Sequence, residues 1–510
     1  MKRVAIQGVK GCFLEIAARE FFHGEEIDAV ECETFEELFD TVKREGIIAT
    51  LAIENTIAGS LLQNHILLKE SGLKIAGEQK IRIRHNLVAM PGQELESIKE
   101  VYSHPIALMQ IRNFLDDHKF LKAVEWDDTA SSAKMIAREQ CMGKAGVCSE
   151  WAAEIYGLEI LNITPVDRVL DIQEYYFSKK LREVAELNAQ GKDIISLGIG
   201  SPDRMPSEEA LNTLNEVAHQ PNAHGYQSYQ GIPELRKAFS DFYKRWYNVD
   251  LDPNKEILPL IGSKEGVFFL SLTFINPGDG VLVPNPGYPT YTSASKIIGA
   301  RMINYDLSEE NGWQPDFEKL EKMDLSGVKM MWCNYPNMPT GGNARRETFE
   351  KLVDFGLRHN IIIVNDNPYS FILNDNPMSI LSVPRAKECC FELNSTSKAL
   401  NMPGWRIGML AGNPELISYV LKAKSNVDSG MFKPMQMAAA KALAAGKEWY
   451  DSINTVYRAR RKYAEAILEY LGCTYDKTQV GMFMWGKIPA SCKSCEELAD
   501  KILYDCSVSV

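Results

Sequence analysis

The sequence predicts an α/β protein built from two consecutive domains. Its 510 residues are enough for two or three domains with sizeable cores. Short apolar runs alternate with amphipathic stretches along the chain, as is typical of strands and helices that pack in layers. The spacing of these runs changes near residue 163, and no linker-like segment separates the two parts. We therefore expect one domain at residues 1–165 and a second at residues 166–510.

Composition and charge narrow the classes of function. Apolar residues make up 45% of the chain, charged residues 24%, and the formal net charge is −12. This acidic balance argues against a nucleic-acid partner and favours small-molecule chemistry. No apolar run is long enough to span a membrane, and the N-terminus does not resemble a signal peptide. Eleven cysteines without regular spacing indicate a cytoplasmic protein with free thiols.

The pair Cys492 and Cys495 forms a lone C-x-x-C motif. A structural metal site needs a second pair of ligands, and little histidine lies nearby. We therefore predict no metal site.

The first part of the chain has the alternation of an α/β domain. Its apolar runs predict strands at Val4–Ile6, Ile47–Ile53, Leu73–Ile75, Ile81–Ala89, Glu100–Tyr102 and Lys144–Cys148.

The second part begins with a long helical stretch, Ile172–Gln190, and then alternates again. Strands are predicted at Ile194–Leu197, Ile257–Ile261, Gly280–Pro284, Lys329–Cys333, Ile361–Asn365 and Cys389–Leu393, with helices such as Lys264–Phe274 and Phe349–His359 between them. This order favours a mainly parallel sheet, whose ligands bind at the carboxyl ends of the strands.

Three side chains in the segment Asn394–Gly408 (NSTSKALNMPGWRIG) point to one cofactor. Lys398 can condense with an aldehyde when its amine is unprotonated. Arg406 carries a planar fork of donors that suits a phosphate, and Ser395 adds a hydroxyl. Pyridoxal 5′-phosphate is an aldehyde that carries a phosphate. An isolated match of this kind would be better explained by a surface lysine and arginine, so the rest of the chain must decide.

Other segments of the second part supply the remaining contacts that this cofactor needs. Asp366 follows a β-branched strand and can pair with a protonated pyridine nitrogen, and Tyr369 can reach the phenolic oxygen. Ser263 and Lys264 lie where a strand meets a helix start, which is a phosphate-binding position. Tyr288 can stack on the ring face. Each residue also has a simpler explanation, such as a helix cap at Asp366 or core packing at Tyr288.

Together these segments resemble a fold-type I aminotransferase of class I/II over residues 166–510. The motifs are Leu197–Asp203 (LGIGSPD), Tyr226–Arg236 (YQSYQGIPELR), Asn334–Gly341 (NYPNMPTG) and the Lys398 segment. The resemblance implies a fold-type I PLP-dependent transferase domain and a homodimer. It also implies a large domain at about residues 215–460 and a small domain formed by residues 166–214 and 461–510.

The resemblance implies a role for each site residue. Lys398 forms the Schiff base and carries the proton, Asp366 holds the ring nitrogen, and Tyr369 contacts the phenolate. The cofactor phosphate is held by Arg406, Ser395, Ser263 and Lys264, and by Tyr226 across the dimer interface. Tyr288 stacks on the ring, and Gly200 leaves room for the carboxylate of the substrate.

Two departures from the family pattern concern the second part. Met338 stands before Pro-Thr-Gly, where the family has an asparagine that bonds the phenolic oxygen, so Asn337 or Asn334 is expected to supply that donor. The family also continues past this chain through a strand and an arginine that grips the α-carboxylate. We therefore expect a truncated C-terminus, as a fusion of two neighbouring reading frames with a shifted end would produce.

Four loops of the first part carry polar groups at expected helix starts: Gln7–Phe13, Ala52–Ser60, Tyr102–Gln110 and Asp127–Ala133. Such loops can bind carboxylates without a metal. They could equally be helix caps, a role that Ser103 and Asp128 would suit.

In this order, the four loops resemble the catalytic domain of prephenate dehydratase over roughly residues 1–165. The resemblance implies a two-lobed periplasmic-binding-protein-like α/β domain that decarboxylates and dehydrates prephenate to phenylpyruvate. The residues in matching motifs, expected to bind substrate, are Asn55, Ser60, Ser103, Gln110, Thr129 and Ala130. Thr164 falls where the family's Thr-Arg-Phe motif begins and is the expected proton donor, although Pro165 and Val166 replace the Arg-Phe.

The two resemblances together predict a multifunctional enzyme of phenylalanine biosynthesis, because an aminotransferase can convert phenylpyruvate into phenylalanine. Two alternatives remain open. In one, the first part is a catalytically dead ligand-binding module; in the other, the chain is a fusion product with little activity. A transcription regulator is disfavoured because residues 1–165 hold 18 Lys and Arg against 26 Asp and Glu.

Overall fold

The computed structural model describes residues 2–55, 59–161, 167–170, 172, 176–198 and 200–510. Its contacts divide the chain into two compact units, Met1–Pro165 and Val166–Val510. Both units combine helices with strands, so the chain belongs to the mixed α/β class that the sequence predicts.

The N-terminal unit contains ten strands and seven helices among its described residues. The strands are β1 Lys2–Gln7, β2 Ile27–Cys32, β3 Ile48–Ala49, β4 Glu54–Asn55, β5 Gly59–Ser60, β6 Asn86–Ala89, β7 Glu100–Ser103, β8 Lys122–Glu125, β9 Lys144–Cys148 and β10 Glu159–Ile160. The helices are α1 Phe13–Phe21, α2 Phe35–Glu45, α3 Leu62–Ser71, α4 Pro105–Gln110, α5 Arg112–Asp117, α6 Thr129–Arg138 and α7 Glu150–Tyr156.

Two main sheets organise this unit. The first is parallel, with the order β2-β1-β3, and the second has the order β10-β6-β9-β7-β8. Strands β4 and β5 form a separate antiparallel pair. Two separate sheets are what a two-lobed domain requires, and the periplasmic-binding-protein-like arrangement stays a prediction.

Several strand predictions in this unit were wrong. The run Leu73–Ile75 is not a strand, and Ile75 is 75% exposed, so its apolar character does not reflect burial in a sheet. The run Ile47–Ile53 contains only the two-residue strand β3. Strand β2 was missed because its sequence, IDAVEC, interrupts the apolar residues with acidic ones that lie on the less buried face.

The C-terminal unit contains eleven strands and twelve helices among its described residues. The strands are β11 Ile195–Ser196, β12 Ile257–Leu260, β13 Gly280–Asn285, β14 Arg301–Asp306, β15 Val328–Asn334, β16 Ile362–Asp366, β17 Cys390–Ser395, β18 Gly408–Gly412, β19 Thr474–Tyr475, β20 Gly486–Lys487 and β21 Val508–Ser509. The helices are α8 Asp167–Leu170, α9 Tyr176–Ala189, α10 Glu208–Ala218, α11 Pro233–Tyr247, α12 Ser263–Phe274, α13 Pro289–Ile298, α14 Phe317–Lys322, α15 Arg346–His359, α16 Pro414–Lys424, α17 Lys433–Leu443, α18 Lys447–Tyr470 and α19 Cys495–Cys506.

Seven of these strands form one sheet with the order β12-β18-β17-β16-β15-β13-β14. Strand β18 is antiparallel to both of its neighbours, and the other neighbouring pairs are parallel. The sheet is therefore mainly parallel, as predicted. The carboxyl ends of β15, β16 and β17 lie side by side and carry the site described below.

The sheet is covered on both faces, which explains why its strands are continuous apolar runs. On β15, Met330 and Trp332 belong to one buried cluster, whereas Met331 and Cys333 belong to the other. Helices α12, α13 and α16 contribute to the first cluster, and α11, α15 and α17 contribute to the second.

The predicted strand Ile194–Leu197 lies outside the seven-stranded sheet. Its core, β11, pairs with β21 at the end of the chain rather than with the seven-stranded sheet. Val184, Ile194 and Leu503 form a small buried cluster beside this pair. The two ends of the unit therefore meet, and the division into a large and a small domain stays a prediction.

Candidate active site

Two buried polar residues end neighbouring strands of the main sheet. Asn334 ends β15, Asp366 ends β16, and the two are register partners. The Nδ2 atom of Asn334 donates a hydrogen bond to the Asp366 carbonyl oxygen at 2.6 Å, and its Oδ1 accepts one from the Met338 amide at 2.7 Å. The Asn334 side chain therefore links the end of β16 to the loop that follows β15, and both its oxygen and its nitrogen are hydrogen-bonded.

The Asp366 carboxylate is buried and only partly engaged. Its Oδ2 accepts a hydrogen bond from the Tyr291 hydroxyl at 3.0 Å, whereas Oδ1 has no partner among the described residues. Burial raises the pKa of Asp366 to about 7, while the Tyr291 hydrogen bond and the positive charge of Lys398 oppose that rise. One buried carboxylate oxygen is therefore available for a cationic partner.

Lys398 lies at the same end of the sheet, in the loop after β17. Its Nζ donates to the Gly200 carbonyl oxygen at 2.7 Å and lies 5.9 Å from the centre of the Tyr369 ring. Burial and the positive charge of Arg406 lower the pKa of Lys398, and Asp366 opposes the change. A lowered pKa keeps a larger fraction of the amine in its nucleophilic form.

Gly200 lies beside the Lys398 amine, and its role toward the substrate carboxylate stays a prediction. A Cβ atom at Gly200 would lie 2.4 Å from Cζ of Phe483. The ring of Phe483 also packs edge-on against Tyr369, with centroids 5.9 Å apart. A side chain at position 200 would therefore collide with the Phe483 ring, which explains the glycine.

A group of donors suited to a phosphate surrounds the start of α12. Ser263 begins this helix, and Gly262 before it has a φ of +78°. A Cβ atom at Gly262 would lie 2.1 Å from Nη2 of Arg406, so only glycine allows the guanidinium to approach the helix start. The Ser395 hydroxyl lies 2.8 Å from the Ser397 hydroxyl.

The remaining predicted residues occupy different surroundings. Tyr288 caps α13 and packs edge-on against Tyr291, and Lys264 follows Ser263 in the first turn of α12. Asn337 is buried, and its Nδ2 has no hydrogen-bond partner in the described part of the chain. Of the two candidate replacements for the family asparagine, Asn337 is thus the one with an available donor. Tyr226 is 93% exposed.

These residues fit pyridoxal 5′-phosphate. The buried Lys398 amine suits the aldehyde, the unpaired Asp366 Oδ1 suits the pyridine nitrogen, and Arg406 at the start of α12 suits the phosphate. Together with the sheet order, they define a fold-type I pyridoxal-phosphate enzyme.

Comparison with known proteins identifies the family. A sequence model of "Aminotransferase class I and II" matches residues 192–510, and a model of "Prephenate dehydratase" matches residues 4–168. The chain belongs to the aminotransferase class I and II family and carries a prephenate dehydratase domain at its N-terminus. Its cofactor is pyridoxal 5′-phosphate, as predicted.

The curated relatives and solved structures overlap the C-terminal part. The LL-diaminopimelate aminotransferase of Aquifex aeolicus is 41% identical over 332 residues, covering 65% of this chain and 86% of that protein. The apo structure of BacF from Bacillus subtilis is 36% identical with a TM-score of 0.66, covering 68% and 89%. An aromatic aminotransferase from Pyrococcus horikoshii is 26% identical with a TM-score of 0.59, covering 64% and 88%.

In the N-terminal unit, the structure brings together two of the predicted residues and adds a third. Gln110 Nε2 donates to Asn55 Oδ1 at 3.2 Å, and Gln110 Oε1 lies 2.5 Å from His85 Nε2. Because this amide oxygen can only accept, His85 carries its proton on Nε2. His85 Nδ1 is then a buried acceptor without a partner among the described residues, and burial lowers the pKa of His85.

The other predicted substrate-binding residues of this unit lie in strands or at a helix start. Ser103 is fully buried and donates to the Val147 carbonyl oxygen, so it is not the helix cap that its position suggested. Thr129 and Ala130 are buried at the start of α6, which Asp128 caps, as that alternative predicted. Ser60 lies on β5 opposite Glu54. Thr164 lies outside the described residues.

Two searches of the described residues give negative results. No group of three or more metal-ligating side chains is found there. No described helix is long and apolar enough to cross a membrane.

The sequence prediction missed Tyr291, Gly262, Phe483 and His85. Tyr291 and Gly262 stand beside predicted residues, but their partners, Asp366 and Arg406, are 75 and 144 positions away. His85 lies in the basic run Arg82–His85, outside the four loops that predicted a substrate site, so no local motif marked it.

Proposed function

We propose that the C-terminal unit transaminates phenylpyruvate to phenylalanine, and that the N-terminal unit forms phenylpyruvate from prephenate. The observation that carries this proposal is the presence of both families on one chain. Phenylpyruvate is the product of the dehydratase reaction and the amino-group acceptor in the transamination. A second candidate function is transamination of LL-diaminopimelate, which the relative from Aquifex aeolicus favours.

The C-terminal residues have separate tasks in transamination. The bound cofactor serves as an electron sink for the carbanion at the substrate α-carbon. Lys398 removes and returns the proton at that carbon, which its lowered pKa favours. Asp366 stabilises the protonated ring nitrogen, Arg406 fixes the phosphate, and Tyr369 contacts the phenolic oxygen. Asn337 supplies a second donor to that oxygen, which in the family comes from the asparagine that Met338 replaces here.

We also propose that two copies of the chain form a homodimer in the cytoplasm. The exposed Tyr226 ring supports the dimer, because this residue would bind the cofactor phosphate of the partner subunit. The eleven cysteines, all described and all free, support a reducing compartment.

The first prediction concerns the choice of amino donor. The full chain is supplied with phenylalanine or LL-diaminopimelate and a common 2-oxo acid, and kcat/KM is measured for each donor. We expect phenylalanine to be preferred by about tenfold or more, because one well-fitted apolar side chain contributes that much to discrimination. A preference for LL-diaminopimelate would support the second candidate and contradict the aromatic assignment.

The second prediction concerns the N-terminal unit. The full chain is expected to form phenylpyruvate from prephenate faster than buffer does. Replacing Gln110 with alanine should lower that rate about 10²-fold, because the side chain orients Asn55 and His85, and small losses of orientation cost this much.

A matched control is Gln63→Ala, which removes an exposed glutamine of α3 whose partner is Glu36. This variant should keep the wild-type rate of phenylpyruvate formation. A wild-type rate equal to that of buffer would contradict dehydratase activity and support a ligand-binding module. Transamination measured on the same preparations reports separately on the C-terminal unit.

A further inference from the structure

We infer that Tyr291 is a positioning residue that holds Asp366 in the orientation and charge state needed to bind the cofactor ring nitrogen. The hydroxyl of Tyr291 lies 3.0 Å from Oδ2 of Asp366, and both side chains are buried. This contact occupies one carboxylate oxygen and leaves the other, Oδ1, without a partner among the described residues. The hydrogen bond thus selects which oxygen is available.

Tyr291 acts as the donor in this contact. Burial and the neighbouring Asp366 carboxylate raise the pKa of Tyr291 well above its ordinary value, so its hydroxyl stays protonated. A hydroxyl proton directed at Oδ2 stabilises the ionised carboxylate more than the neutral acid. Tyr291 therefore opposes the effect of burial, which favours the neutral acid.

The rest of the molecule fixes the position of the Tyr291 ring. The ring stacks on Trp332 with centroids 5.0 Å apart and an angle of 4° between the planes. Trp332 is fully buried on β15, next to the strand that ends in Asp366. The ring also meets Tyr288 edge-on. Because these contacts restrict the rotation of the ring, they hold the hydroxyl within hydrogen-bond distance of Asp366.

Other ionisable groups near Asp366 do not replace this contact. Lys398 lowers the pKa of Asp366 through its charge, and Glu392 on β17 raises it. The Lys398 amine is needed for the cofactor aldehyde, and its hydrogen bond goes to Gly200. Among the described residues, the Tyr291 hydroxyl is the direct side-chain donor to the Asp366 carboxylate.

The test is Tyr291→Phe, which removes the hydroxyl and keeps the stacked ring. Cofactor is removed from the full chain, and rebinding of pyridoxal 5′-phosphate is measured by equilibrium titration at several pH values. We expect affinity about tenfold weaker near neutral pH, as for the loss of a hydrogen bond to a charged group. Binding needs ionised Asp366, so affinity falls as pH falls through its pKa. The variant raises that pKa, and its affinity should fall at a pH about one unit higher.

Tyr305→Phe is the matched control. Tyr305 is also buried and donates to the Trp332 carbonyl oxygen at 2.6 Å, but no hydrogen bond joins it to Asp366. It should leave both the affinity and its pH midpoint unchanged. Equal shifts in the two variants would assign the effect to a general loss of packing and overturn the proposal, as would an unchanged Tyr291→Phe variant.

A double variant separates the hydrogen bond from other effects of Tyr291. Asp366→Asn removes the ionisable carboxylate and with it the pH midpoint, so adding Tyr291→Phe to that variant should weaken binding by less than twofold at every pH. Effects that simply multiply would show that Tyr291 acts independently of Asp366. That result would overturn the proposal even if the single variant binds poorly.

Discussion

Replacing Lys398 with alanine is expected to reduce transamination by roughly 10⁴-fold, the upper end of what positioned acid–base groups contribute. The variant removes the amine that moves the α-carbon proton and also the anchor for the cofactor aldehyde. Lys398 is suited to both tasks because burial and Arg406 lower its pKa. Single-turnover kinetics with a good amino donor would measure the loss. The visible absorption of a covalently attached cofactor should disappear in the same variant.

A second lysine provides the control for this experiment. Lys387 lies in the same unit and binds Glu256, with Nζ–Oε distances of 2.9 Å, but takes no part in the site. Lys387→Ala should keep both the visible absorption and the turnover rate. If Lys398→Ala retained both as well, the assignment of the cofactor anchor would be wrong.

The site residues that could be predicted from sequence are marked by the residues next to them in the chain. Asp366 follows an apolar strand, and Lys398 and Arg406 lie eight positions apart, so their chemistry and spacing are visible without a fold. The carboxyl ends of parallel strands then meet by topology alone. This is why the cofactor could be predicted before the arrangement of the strands was known.

The contacts that could not be predicted join distant parts of the chain. Phe483 approaches Gly200 although 283 positions separate them, and no local pattern marks either residue as a partner of the other. Similarly, the pairing of β11 with β21 depends on where the two ends of the unit meet. The substitution at Met338 was visible, but the choice between Asn334 and Asn337 required their hydrogen bonds.

A second large effect is expected at Glu392, a fully buried carboxylate on β17. Its Oε1 accepts from the Tyr243 hydroxyl at 2.7 Å and from Asn367 Nδ2 at 3.4 Å. Its Oε2 accepts from Asn365 Nδ2 and from the Ile380 amide, each at 3.0 Å. Burial raises the pKa of Glu392, and donors such as Asn365 and Tyr243 oppose the rise. All four neighbours donate, so the site needs an acceptor at both oxygens.

Glu392→Gln should therefore destabilise the C-terminal unit by about 1–3 kcal/mol, the usual cost of leaving a buried donor without an acceptor. With its NH₂ group toward Asn365 and the Ile380 amide, the glutamine faces two groups that only donate to it, and both lose their acceptor. Turned the other way, it can donate to the Tyr243 hydroxyl, which also accepts, and only the Asn367 donor loses its acceptor. Denaturant unfolding followed by tryptophan fluorescence suits this measurement, because six of the eight tryptophans lie in residues 166–510.

The control for this variant is Glu350→Gln, which breaks an exposed ion pair with Arg346 and should cost less than about 1 kcal/mol. Comparable small losses in both variants would mean that Glu392 can exchange an oxygen for an amide without penalty. Such tolerance would require its neighbours to turn and accept. On the Oε2 side this is blocked, because Asn365 Oδ1 is already held by the Tyr335 amide and the Ile380 amide can only donate. On the Oε1 side the Tyr243 hydroxyl can accept, so full tolerance would require the Asn367 amide to turn as well.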